Sequence, residues 1–92
     1  MSAFPIRMPP RLPTPPDRLN GRVLHIPPDL CRYRDHGLVL VVRRVRLDIS
    51  QWYGGEWVWL EGDEIDENGQ SLPRTSALVH VSACTVGPAA PQ

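Results

Sequence analysis

The sequence predicts an all-β fold: a small four- or five-stranded barrel, Src-homology-3-like or OB-like, behind a disordered or extended proline-rich N-terminal arm. Three observations lead there. Leu38–Ser50 and Glu56–Ile65 are rich in Val, Leu, Ile and Trp and are bounded by turn residues at short spacing. No segment carries an apolar repeat of helical period long enough for a substantial helix. Six of the eleven prolines fall within residues 1–18. An exposed sheet edge invites unwanted pairing, so closure is expected over a flat sheet.

The elements follow in chain order. Pro5, Pro9, Pro10, Pro13, Pro15 and Pro16 fix their own φ and push each preceding residue out of the α region, so residues 1–18 read as an arm of polyproline II character. Asn20-Gly21 marks a turn, Arg22–Ile26 alternates as a short strand, and Pro27-Pro28 stops it. Asp29 is placed to cap one or two helical turns over Leu30–Asp35, with Gly37 as terminator. Leu38–Ser50 is the strongest strand. In its second half Val45, Leu47 and Ile49 share one face and Arg44, Arg46 and Asp48 the other. Leu38–Val42 lacks alternation, as in a strand end covered on both sides. Gly54-Gly55 closes a loop before the strand Glu56–Ile65. Asp66-Glu67-Asn68-Gly69 turns the chain, with Gly69 able to take positive φ, and Thr75–Ala83 returns as a strand. The division is then an arm over 1–18, a small β-barrel domain over 19–86 and a flexible tail over 87–92.

A chain of 92 residues holds one domain. With the arm set aside, roughly 65–70 residues build a marginal core, so strand pairing, a partner or self-association must add stability. Lysine is absent beside ten arginines and eleven prolines, residues with GC-rich codons, which points to a high-GC genome. Two cysteines, Cys31 and Cys84, are too few for a disulfide scaffold. Met1–Arg7 is followed by prolines and not by an apolar signal region, and Leu38–Val42 falls far short of the roughly 20 residues of a membrane span. The expectation is a cytoplasmic protein with no membrane partner and no cofactor.

Charge is divided along the chain. Residues 1–46 hold nine arginines and three acids, net +6, and residues 47–92 hold one arginine and seven acids, net −6. Oppositely charged halves attract each other, a partner or a second copy.

Trp52, Tyr53, Trp57 and Trp59 lie within eight residues. Trp57 and Trp59 share one strand face and Val58 and Leu60 the other; the tryptophans either complete the core or form a binding platform. The arm carries two polyproline patterns, Arg7-Met8-Pro9-Pro10-Arg11-Leu12-Pro13 and Pro13-Thr14-Pro15-Pro16-Asp17-Arg18. Aromatic grooves flanked by acids bind such segments, the prolines between rings and the arginine on a carboxylate. The candidate binding residues are therefore Trp52, Tyr53, Glu56, Trp57, Trp59 and Glu61, facing Arg7, Arg11 and Arg18. An unbound linker arm is the plain alternative.

Other motifs carry less. Glu64, Asp66 and Asn68 match the first, third and fifth positions of a calcium loop, but Thr75 stands where a bidentate acid is needed. Cys31, His36, His80 and Cys84 mimic a zinc set, yet on a regular strand His80 and Cys84 lie ~13 Å apart. No nucleophile, phosphate-loop or dinucleotide motif is present, so no catalytic residue is assigned. Arg43, Arg44 and Arg46, with the arm, make nucleic-acid binding an alternative, opposed by the zero net charge.

The run WYGGEWVWLEGDEIDENG followed by RTSALVHV, Trp52 to Val81, resembles small actinobacterial proteins of uncharacterised function, some carried on mobile elements. The resemblance covers about a third of the chain and implies no catalytic residue, ligand or activity. The residues point to a non-enzymatic interaction module whose acidic aromatic surface takes an arginine- and proline-rich segment, its own arm or a partner's. A structural subunit of a larger assembly is a further alternative.

Overall fold

The computed structural model describes residues 7–86. Four strands, β1 (Val23–Ile26), β2 (Leu38–Arg46), β3 (Trp57–Ile65) and β4 (Ser71–His80), form one open antiparallel sheet in chain order. A one-turn helix, α1 (Pro16–Leu19), and 3₁₀ turns at Pro28–Leu30, Leu47–Ile49 and Val81–Ala83 complete the described chain, which is all-β in its architecture.

The β3–β4 hairpin is fixed by its turn. Asp66 Oδ1 accepts the amides of Asn68 and Gln70, each at 2.9 Å, and Gly69 sits at φ 80°. Across β2 and β3 the register shifts between Val42 and Arg44, leaving Arg43 as the extra residue of a bulge. The shift keeps apolar residues inward on both sides of it: Leu38, Leu40 and Val42 before, Val45 after. Gly62 lies opposite Val42, and a Cβ there would collide with the carbonyl oxygen of Val41. Only glycine lets the bulged strand approach this closely.

The inner face buries Leu24 and Ile26 of β1, Leu38, Leu40 and Val42 of β2, Val58 and Leu60 of β3, and Ala77 and Val79 of β4. Irregular segments cover it. Leu19, Cys31 and Cys84 join the buried cluster, and Leu12, Leu30, Val81, Ala83 and Val86 pack against it. After β1 the chain crosses to the β4 edge, where Cys31 forms a bridge with Val79 and the Arg32 amide donates to the Leu78 carbonyl at 2.9 Å. That crossing shields an edge that would otherwise stand open.

Several expectations are corrected. β2 ends at Arg46, four residues early, because the buried Ser50 hydroxyl donates to the Arg46 carbonyl and accepts the Trp59 amide at 2.9 Å. Leu47 and Ile49 therefore lie on an exposed 3₁₀ turn and do not extend the inner face with Val45. Asp29 caps no helix over Leu30–Asp35; the turn stops at Leu30, since Cys31 becomes extended to pair with Val79 and is buried. β4 begins at Ser71 and ends at His80, whose Nδ1 accepts the Ser82 amide and starts the last turn.

The arm also differs from a free extension over its described part. Pro16 opens α1, where its missing N–H costs nothing, and this turn straddles the expected boundary at 18/19. Leu12 packs on the core, and the buried Thr14 accepts the Val86 amide on its hydroxyl at 3.1 Å. The expected tail over 87–92 and the first six residues of the arm lie outside the described residues. No helix among the described residues is long and apolar enough to cross a membrane.

Two outcomes follow from this packing. Gly62→Ala should lower unfolding stability by roughly 2 kcal/mol or more in a urea titration, since strand or neighbour must move; a change within about 0.5 kcal/mol would contradict the close approach. Burial pushes the Cys84 thiol up to about 12 and raises that of Cys31. Iodoacetamide at pH 8 should therefore leave both native thiols unmodified and label both once urea unfolds the chain.

Candidate functional site

Trp57 and Trp59 alternate along β3 with the fully buried Val58 and Leu60, so they project from the face opposite the core. The register sets their neighbours. Trp59 stands between Arg46 of β2 and Leu78 of β4, and Trp57 stands opposite His80. The Trp57 and His80 rings meet edge to face with centroids 5.2 Å apart. Arg32, carried to this edge by the Cys31 bridge, lays its guanidinium over Trp57 at 4.5 Å. Trp59 Nε1 donates to the Tyr53 hydroxyl at 3.0 Å, which ties the 50–56 loop to the sheet. Both strand tryptophans are half-buried, and Leu78 between them on β4 is fully buried.

Trp52, on that loop, is 49% exposed, and the Arg7 guanidinium lies over its ring at 5.2 Å. The following residues run along the loop. The Met8 amide donates to the Gln51 carbonyl and the Arg11 amide to the Gly55 carbonyl, both at 2.9 Å. Gly55 is buried at φ 78°, and a Cβ on it would lie 2.8 Å from the Met8 sulfur, so the glycine makes the seat for Met8. Arg11 turns a guanidinium nitrogen to that same sulfur at 3.7 Å.

Of the sequence-predicted site, the structure brings together Arg7, Arg11, Trp52 and the loop of Tyr53, with Trp59 joined through Tyr53. It does not bring together the arm arginines and the acids. Arg7, Arg11 and Arg18 make no ion pair among the described residues, and Glu56 is exposed without a side-chain partner there. Glu61 pairs with Arg46 at 2.6 Å, and Trp57 is taken by Arg32 and His80.

The acids are committed between strands. Arg43 reaches Asp63 at 2.7 Å and Arg74 reaches it at 3.3 Å; Arg46 bridges Glu61 and Asp48, the latter at 2.9 Å; Arg34 reaches Glu64 at 3.4 Å. The two oppositely charged halves thus meet inside one chain, across β2 and β3. The hydrogen bond from Arg43 holds the Asp63 carboxyl below the usual range, and that from Arg46 brings Asp48 down to about 2. Arg46 is in turn held more firmly protonated by Asp48 and Glu61. For nucleic acid this removes two of the three strand cations; Arg44 alone is exposed without an ion pair among the described residues.

Arg32, Tyr33 and His80 were not singled out as binding residues by sequence. The signal lay in Cys31: a small apolar residue that must be buried sets Arg32 outward if the segment is extended. Among the described residues no three His, Cys, Asp or Glu side chains gather as for a metal. Cys31 and Cys84 are core thiols, and Asp66 is occupied by its own turn. No family model, curated protein or solved structure matches the chain, so the site rests on its geometry.

The ion pairs predict an acid profile. A carboxyl whose folded pKa lies below its unfolded value of about 3.9 contributes stability that is complete above that value and lost as pH falls through the folded one. With Asp48 at about 2 and Asp63 lowered, stability should be flat near neutrality and fall between roughly pH 4 and pH 2. Asp63→Asn should be less stable at pH 7 and show a shallower fall over that window in urea midpoints. An unchanged slope would contradict the pairing.

Proposed function

We propose that this protein is a cytoplasmic, non-enzymatic interaction module whose outer aromatic surface takes arginine-bearing extended segments, and that its own arm occupies part of that surface. One observation carries the reading: residues 7–11 lie along the 50–56 loop through two backbone hydrogen bonds, with Met8 seated on Gly55 and Arg7 over Trp52. The recognition chemistry differs from an acid-lined groove, because Glu61, Asp63 and Glu64 already have arginine partners. What the surface offers is ring faces and loop carbonyls. A guanidinium over an exposed indole contributes about 0.5–1 kcal/mol, enough to favour docking and weak enough to exchange.

Intramolecular docking makes the arm a cover, and transfer to a second copy or a foreign segment is the same interaction in trans. We read the sheet, bridged at Cys31–Val79, as a small barrel whose exterior carries this surface. Arg32 over Trp57 supports the same preference for guanidinium groups within the fold.

The test uses the full chain with Arg7→Ala and Met8→Ala together. Acrylamide quenching of tryptophan should rise, a peptide of residues 1–14 added in trans should reverse the rise, and Gly55→Ala should reproduce it by blocking the Met8 seat. Unchanged quenching in both variants, or a peptide without effect, would contradict the reading.

A further inference from the structure

Beside the Trp57–Trp59 surface a hollow of about 320 Å³ opens between the 32–36 segment and β4. Trp59, Ser76, Arg32 and Tyr33 line it, above the buried Leu78. Its volume is at the lower end of small-molecule sites, suited to one ring and a substituent. None of the arm residues lines it.

Its chemistry is set by which groups are already satisfied. Arg34 is held by Glu64 at 3.4 Å and Thr75 at 3.1 Å. Asp35, at the rim, has a fully solvated side chain hydrogen-bonded to His36 at 2.9 Å. Trp59 has its indole N–H on Tyr53, so the wall it gives the hollow makes no polar demand. Arg32 differs from Arg34: it makes no ion pair among the described residues and is braced from one side by Trp57. A planar guanidinium stacked on an indole keeps its N–H edge for an acceptor, and its fork matches a carboxylate or phosphate.

Tyr33 supplies the second observation. It is the one non-glycine residue at positive φ among the described residues, φ 65°, and it is 80% exposed. An aromatic residue in the left-handed region is strained, and strain of this kind gathers at ligand sites. Neighbouring bonds hold it there: the Arg32 amide on Leu78 and the Arg34 side chain on Glu64 and Thr75.

We propose that this hollow binds a small anion carrying one flat ring. The ring lies against Trp59, the anionic group meets the Arg32 guanidinium, and the Tyr33 ring folds over the mouth. Carboxylate and phosphate anions share this chemistry, and separate probes distinguish them.

The experiment is an amide-resolved NMR titration of the full chain with indole-3-acetate and with uridine 5′-monophosphate, against the neutral indole-3-acetamide and uridine. Saturable shifts are expected at the amides of residues 32–35, Ser76 and Leu78 and at the Trp59 indole for at least one anion. Its neutral counterpart and the Arg32→Gln variant should bind about tenfold more weakly or worse. Tyr33→Gly relieves the strain, so it should keep or raise thermal stability while weakening binding, and it carries the test if Arg32→Gln fails to fold. No saturable shift from either anion up to about 10 mM would overturn the proposal. So would equal affinity in Arg32→Gln, or in Tyr33→Gly.

Discussion

Strands β2 and β3 meet in a register that brings arginines from the basic half of the chain against carboxylates from the acidic half. Arg46 reaches Glu61, and the bulge turns Arg43 toward Asp63, which also receives Arg74 from β4. The same bulge needs Gly62, since no other residue lets Val41 approach. Inner and outer faces are settled together by this one pairing. A slip of one residue would place arginines in the core and Leu60 in water, a change no local preference could offset.

The consequence for function is a change of sign in what the surface can offer. A chain with a basic half and an acidic half suggests a partner held by charge, yet most acids of the strands are satisfied within the sheet. Beside them lie aromatic rings: the exposed Trp52 beneath Arg7, the half-buried Trp57 beneath Arg32, and Trp59 fixed by Tyr53. Surface ion pairs weaken with salt, whereas ring faces and backbone carbonyls depend on it much less.

Much of the fold was legible. The alternation of Trp57, Val58, Trp59 and Leu60 separated the two faces of β3, and Asn68-Gly69 placed the hairpin turn, because both depend on local geometry. The end of β2 was not legible. The pattern Val45, Leu47, Ile49 continues a strand, and the Ser50 hydroxyl stops it by accepting the Trp59 amide and donating to the Arg46 carbonyl. The segment Leu30–Asp35 is illegible for a related reason: Asp29 and Gly37 look like helix signals, but pairing of Cys31 with Val79, forty-eight residues away, overrides them. The candidate site was half visible. The aromatic cluster and the polyproline pattern join the tryptophans to Arg7, while the arm's contact with the 50–56 loop carbonyls and the position of Arg32 at the β4 edge depend on long-range packing.

The two charged halves stabilise one another across β2 and β3. The most direct measurement is a double-mutant cycle on Arg46→Ala and Glu61→Ala, read as urea midpoints at about 50 mM and 500 mM salt. The double variant should lose less than the two single losses combined, and this coupling should shrink at the higher salt. Losses that simply add at both salt concentrations would contradict it.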